Sequence, residues 1–112
     1  MIFATLSTHV LDIGSGTPAS GLSVDLLRGN DANTMASGVT DTDGRIRTWT
    51  PDVQLEPGDY QLRFHSGQWY RGHSKDCFYP TITIHFSVLA NQSHYHVPLL
   101  LNQFGYSTYR GS

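Results

Sequence analysis

The chain has 112 residues, a formal net charge of -2 with its histidines neutral, and one cysteine, Cys77. This length fits a single domain, residues 1–112, and the charge excludes the strongly basic surface of a nucleic-acid or anionic-lipid binder. One cysteine excludes an internal disulfide, and the apolar runs are too short for a membrane-spanning helix.

Apolar and polar residues alternate with a period of two along most of the chain. The alternating segments are 2–10, 22–26, 60–64, 81–88 and 94–101. Such alternation places one set of side chains in a core and the other set on the opposite face of a sheet. The pattern predicts an all-β fold, an antiparallel β-sandwich of about seven or eight strands.

Turn-forming residues separate these segments. Asp43-Gly44 lies between two short β-like runs and predicts a tight hairpin. Only residues 66–75 have a helical pattern, in which Ser66 would cap the helix and Trp69 and Tyr70 would face inward. We therefore expect one short helix near 66–75.

Several faces predicted to point away from the core are not typical of a solvent-exposed surface. The alternation assigns to them Ser7 and His9, then His94, His96 and Pro98, and finally Tyr106, Thr108 and Arg110. A proline inside a strand indicates an edge, a bulge or an end of pairing. Leu100 and Tyr106 beside histidines suggest a face that another subunit covers. We expect an oligomer with a site at the subunit interface.

The six histidines include a His-x-His pair, His94 and His96. On a strand their side chains share one face, roughly 6.5–7 Å apart. This spacing suits a metal pair or the two ends of a small ligand, but the residues alone favour one packed and one exposed histidine. His9, taken alone, is more typical of a surface histidine than of a catalyst.

Two arginines, Arg45 and Arg47, follow the Asp43-Gly44 turn and share one face. They are either solvated or anchor an anion or a carbonyl group, and Arg110 has the same two interpretations. Ser112 combines a hydroxyl with the chain's carboxylate. Nucleophile elbows, phosphate-binding loops and dinucleotide fingerprints are absent from the sequence, and Cys77 is expected to pack as a small apolar group.

Five segments together carry a family resemblance: 6–12, 16–19 with 21–22, 42–45 with Arg47, 94–101 and the terminal Tyr106-Ser107-Thr108-Tyr109-Arg110-Gly111-Ser112. With them the whole chain resembles the 5-hydroxyisourate hydrolases, the enzyme branch of the transthyretin (prealbumin-like) family. The final Tyr-Arg-Gly-Ser is the most specific element, since it separates the hydrolases from transthyretin. The resemblance implies a prealbumin-like sandwich in a homotetramer, a dimer of dimers, with sites at the dimer–dimer interface.

The resemblance also implies the site and the reaction. The implied catalytic residues are His9, Arg47, His96 and Ser112, and the implied substrate-binding residues are His9, Arg47, Tyr109, Arg110 and Gly111. Water would add to a carbonyl of 5-hydroxyisourate and open its ring in urate breakdown, with no cofactor and no required metal. His96 or His9 would activate the water, and Arg47 would stabilise the developing charge. The weaker alternative is a zinc ion that His9, His94 and His96 bind and that activates the water directly, and zinc at these histidines is expected to be adventitious rather than required.

Two rival functions remain at this point: a carrier that binds an aromatic small molecule without turnover, and a purely structural sandwich. The polar character of the expected site favours the enzyme over the carrier. Residues 1–5 lack the basic start and the apolar length of a signal peptide. We expect a cytoplasmic protein, with a periplasmic one as the alternative.

Overall fold

The computed structural model describes residues 3–112, which form a β-sandwich with one short helix. The predicted inward position of Ile2 lies outside this range. The elements are β1 (Thr5–Asp12), β2 (Thr17–Pro18), β3 (Ser23–Arg28), β4 (Thr34–Val39), β5 (Arg45–Ile46), β6 (Gly58–Phe64), α1 (Ser66–Gly72), β7 (Ile82–Val88), β8 (His94–Asn102) and β9 (Gly105–Thr108). One sheet has the order β2-β1-β8-β9 with β5 also paired to β1, and the other has the order β4-β3-β6-β7.

The core lies between the two sheets and is built by the predicted alternation. Its fully buried side chains include Leu6, Val10, Leu22, Val24, Leu26, Tyr60, Leu62, Phe64, Leu99 and Leu101. Ile84 and Phe86 are only half-buried, because β7 is an edge strand. The sandwich fold is therefore confirmed, with β2 and β5 as additional two-residue strands.

One ladder is parallel, which the alternation did not predict. β1 and β8 run side by side from the pair Thr5–His94 to the pair Asp12–Leu101, whereas the other ladders are antiparallel. Parallel neighbours need a long connection, and here every element from β2 to β7 separates the two strands. This ladder brings the first strand and the His-x-His strand together in register.

The Asp43-Gly44 turn forms, but it does not make a hairpin. Gly44 has φ +76° and its N–H donates to the Asp41 carbonyl at 2.9 Å. The strand that follows, β5, pairs with β1 in the other sheet instead of folding back on β4. A Cβ at position 44 would collide with the Val10 carbonyl oxygen, so glycine is required here for space as well as for conformation.

The helix α1 is shorter than predicted, and its predicted cap is wrong. The Ser66 hydroxyl donates to the Tyr79 carbonyl at 2.9 Å instead of capping the helix. Tyr70 is buried as expected and donates its hydroxyl to Asp12 Oδ1 at 2.7 Å, whereas Trp69 is half-buried. None of the helical segments within residues 3–112 has the length and apolarity needed to cross a membrane.

Candidate active site

The outer face of the sheet collects polar side chains from β1 and β8. The parallel register sets Thr5 opposite His94 and Ser7 opposite His96, and the period of two turns all four away from the core. We call these four residues the histidine face. His94 is exposed, whereas Ser7 and His96 are half-buried.

Hydrogen-bond distances connect the whole histidine face. Thr5 Oγ1 lies 2.6 Å from His94 Nδ1, and His94 Nε2 lies 3.1 Å from Ser7 Oγ. Ser7 Oγ in turn lies 2.7 Å from His96 Nδ1. One hydroxyl therefore orients two imidazole rings and leaves His96 Nε2 directed to other partners.

The surroundings of His96 favour its neutral form. Burial lowers the pKa of His96 below its ordinary value, and the positive charge of Arg45 and the neighbouring His9 and His94 lower it further. A contact with the Ser7 backbone acts weakly in the opposite direction. A neutral imidazole at physiological pH can accept a proton, which is the first requirement of a general base.

The end of the chain is attached to the same strand. The Gly111 N–H donates to the His96 carbonyl at 2.9 Å. This pair keeps the register of the β8–β9 ladder, in which Leu99 lies opposite Thr108. Pro98 falls between the two pairs and has no N–H to donate, so the pairing of β9 ends there. An end of pairing was one of the three predicted alternatives for this proline. The Thr108 hydroxyl donates to the Pro98 carbonyl at 2.7 Å instead.

The backbone of Gly111 lies directly against the His96 ring. A Cβ at position 111 would stand 2.5 Å from His96 Cδ2 and 3.2 Å from its Cγ. Carbon atoms in ordinary contact are about 3.5–4.0 Å apart. Glycine at this position therefore allows the tail, which we define as residues 109–112, to pack against the imidazole.

Three residues predicted to face outward lie on the other side of the sheet. Tyr106 is opposite Leu101 and Thr108 is opposite Leu99, both of which are core residues. The Arg110 guanidinium stacks 5.1 Å from the centre of the Tyr95 ring, and that ring is buried. The predicted outward orientation of Tyr106, Thr108 and Arg110 is wrong. The two-residue turn after Asn102 reverses which positions face the core, and alternation within one strand cannot show this.

Comparison with known proteins identifies the family. The model of the HIUase/Transthyretin family matches residues 6–111. The chain belongs to this family. A 5-hydroxyisourate hydrolase of Salmonella typhimurium is 45% identical over 109 residues, which cover 96% of this chain and 80% of the relative.

Solved structures of this family have the same fold. A Klebsiella pneumoniae 5-hydroxyisourate hydrolase superposes with a TM-score of 0.85 at 38% identity, covering 97% of this chain and 94% of the other. A transthyretin from Sparus aurata superposes with a TM-score of 0.84 at 25% identity, covering 96% and 97%. This HIUase/transthyretin chain thus has enzymes and a transthyretin among its structural neighbours, and the chemistry of its own site has to distinguish between them.

Only some of the predicted site residues lie close to His96 in this family member. His9 and His96 are close enough for His9 to influence the pKa of His96, and Gly111 contacts the His96 ring. Arg47 is highly exposed, and its Nη1 lies 3.8 Å from Asp41 Oδ2. Arg45 is the guanidinium that acts on His96, because β5 sets it opposite His9.

The remaining members of the tail occupy different surroundings. Ser112 is exposed and follows Gly111 at the edge of the histidine face, whereas Tyr109 is 59% exposed. A cavity of about 320 Å³ between β7, β8 and the tail is lined by His96 and Tyr109 as well as by Arg110, which reaches it from the core side of the sheet. The stacking of Arg110 on Tyr95 fixes the tail from that side.

The zinc alternative required three converging ligands. Within residues 3–112, no three histidine, cysteine, aspartate or glutamate side chains come together in an arrangement that could hold a metal ion. His9, His94 and His96 therefore do not form such a group in the single chain.

Proposed function

We propose that this protein hydrolyses 5-hydroxyisourate by adding water to a ring carbonyl and opening the cyclic amide. The observation that carries the proposal is the position of half-buried His96, which is held by Ser7 on one side and packed against Gly111 on the other, in surroundings that lower its pKa. The hydrolases among its relatives span nearly the whole chain, which supports the same reaction here. A ring opening of this kind needs an activated water, a charge stabiliser and a flat slot, and no covalent nucleophile.

We assign water activation to His96, with His9 as its nearby partner in binding the substrate. Burial and the cation of Arg45 lower the pKa of His96 and so favour its unprotonated form, and its Nε2 is not held by the Ser7 contact. General base catalysis of this type contributes about 10²–10⁴-fold. Proton removal from water then produces the attacking oxygen at the carbonyl carbon.

Positive charge for the developing oxyanion would come from the arginines after the turn. The family resemblance assigns this role to Arg47, and the electrostatics of the single chain add Arg45 as a second candidate. A guanidinium matches a carbonyl or anionic edge through its planar fork of N–H donors. The tail would line the slot, with Ser112 and Tyr109 nearest the substrate and Arg110 anchoring the tail from behind.

The proposal includes a homotetramer, a dimer of dimers, with the histidine face at the dimer–dimer interface. Leu11 and Leu100 lie opposite each other on the same outer face and are half-buried in the single chain. An apolar pair beside a polar site is typical of a surface that another subunit covers. Sedimentation would test this: a stable monomer at micromolar concentration would contradict it.

Ultraviolet absorbance tests the reaction directly. Freshly generated 5-hydroxyisourate should decay faster with the protein than without it. The H96N variant should slow this decay at least tenfold, while H73Q, which changes an exposed histidine beyond α1, should match the wild type. Decay at the uncatalysed rate with the wild type would refute the proposal. Saturable binding without turnover would instead indicate a carrier like transthyretin.

A further inference from the structure

The hydrogen-bond contacts on the histidine face include residues that base catalysis by His96 does not require. Ser7 links His96 to His94, and Thr5 contacts the far nitrogen of His94. A general base needs only one oriented imidazole. Ser7 and His94 therefore have a geometry that the proposed function does not yet use.

The three contacts are compatible with one arrangement of protons in which His96 Nε2 is unprotonated and can act as a base. His96 Nδ1–H donates to Ser7 Oγ at 2.7 Å, and the Ser7 O–H donates to His94 Nε2 at 3.1 Å. His94 Nδ1–H then donates to Thr5 Oγ1 at 2.6 Å. Each contact contains one proton, each acceptor is free, and His96 Nε2 keeps its lone pair.

We propose that Ser7 and His94 form a proton relay, which transfers the positive charge gained by His96 to His94. The relay rests on the proposed function, because it acts on the proton that His96 removes from water. In this assignment Ser7 and His94 are positioning and proton-transfer residues that act through His96, and neither touches the substrate.

The steps balance in atoms and charge. The O–H bond of water breaks, its proton bonds to His96 Nε2, and its oxygen bonds to the carbonyl carbon. His96 Nδ1 passes its proton to Ser7 Oγ, and Ser7 passes its own proton to His94 Nε2. His96 and Ser7 are neutral again, and His94 is an imidazolium. The reverse transfer protonates the ring nitrogen as the C–N bond breaks.

The surroundings favour this direction of transfer. A cation on half-buried His96 would lie close to Arg45 of β5 and to His9 of β1, and it would lose part of its hydration. These same groups, with His94 of β8, lower the pKa of His96. In the single chain His94 is more exposed than His96, so a positive charge on His94 loses less hydration than one on His96.

The relay predicts a specific set of variant effects. S7A interrupts the relay and should lower kcat about tenfold, a part of the range for general base catalysis, with KM within about twofold. S7T keeps a hydroxyl and should restore kcat. H94Q can still accept a hydrogen bond from the Ser7 hydroxyl through its amide oxygen but cannot take up the proton, so it should lower kcat as S7A does. S37A on β4 and H73Q are the matched controls and should behave as wild type.

A proton inventory, the dependence of kcat on the fraction of D₂O, distinguishes proton transfer through Ser7 from a role of Ser7 in orienting His96. The kcat of the wild type in mixtures of H₂O and D₂O should give a curved plot, because several protons move together, and that of S7A should give a straight line. Far-UV circular dichroism checks that each variant is folded.

Two results would overturn the relay while leaving the hydrolysis intact. One is an active wild type whose H94Q variant keeps the kcat of H73Q. The other is a straight-line inventory for the wild type. If the wild type itself fails to accelerate the decay, the proposed function fails first.

Discussion

Replacing Gly111 with alanine is the sharpest test of the packing between the tail and the imidazole. The new Cβ would stand 2.5 Å from His96 Cδ2, so the ring or the tail must move by about 1 Å to reach an ordinary carbon contact. The ring is held by Ser7 at 2.7 Å, and the tail is held by the Gly111 N–H bond at 2.9 Å. Either movement therefore breaks a contact that positions the proposed base or the chain's last residue.

Such a displacement should lower kcat strongly and the free energy of unfolding only slightly. A shift of about 1 Å in a catalytic group lowers the rate up to about 100-fold, so we expect G111A to lower kcat about 10- to 100-fold. The change lies near an exposed chain end, and its effect on the free energy of unfolding should stay within about 0.5 kcal/mol. The assays are the absorbance decay of 5-hydroxyisourate and thermal denaturation.

The matched control is Gly105, which opens β9 in the same segment. A Cβ there meets nothing within 4 Å, so G105A should keep the wild-type kcat. If G111A and G105A turn over substrate equally fast, the contact between Gly111 and His96 does not position the base. A large loss of thermal stability in G111A would also contradict the reasoning, since it would mean that the tail supports the fold itself.

Three further predictions concern charge, the tail and the core. Because its pKa is lowered, His96 should remain neutral below a pH of about 6.5, the ordinary pKa of histidine. R45Q removes a positive charge and should raise the pKa of His96, so the low-pH limb of the kcat–pH profile should move to higher pH; an unmoved limb would contradict this. Deleting residues 109–112 leaves β9 paired to β8, so circular dichroism should be unchanged while ring opening slows at least tenfold; full activity would exclude the tail from the site. Y70F removes a hydrogen bond to buried Asp12 and should lower the free energy of unfolding in urea by about 1–3 kcal/mol, whereas an unchanged midpoint would show the bond to be dispensable.

Local periodicity predicted most of the strands because burial of one face follows the period of two. The core positions of β1, β3 and β6 are buried as their alternation required. Strand partners are set by the path of the chain between sheets, which periodicity does not contain. The parallel β1–β8 ladder, which assembles the histidine face, was therefore not predicted, and neither was the pairing of β5 with β1, which sets Arg45 opposite His9.

The same distinction explains the outcome at the candidate site. His94 and His96 could be placed on one face because they share a strand, and that face was assigned correctly. Arg110 was assigned to the wrong face because a two-residue turn precedes β9, from which the tail continues, and reverses the alternation. Arg45 shared its predicted face with Arg47, but only the pairing of β5 with His9 shows which guanidinium acts on His96.

Pro98 and Gly111 together explain how the tail leaves the β9 ladder and still packs against His96. Without an N–H at Pro98, the β9 ladder ends at Thr108 and the tail is released from continuous pairing. The absence of a Cβ at Gly111 then lets the backbone approach the His96 ring and pair with the same residue's carbonyl. Arg110, stacked on Tyr95, fixes the intervening turn of the tail from the core side. Continuous pairing would give one more ordinary edge strand, whereas the interrupted ladder lets the backbone of Gly111 pack against the imidazole.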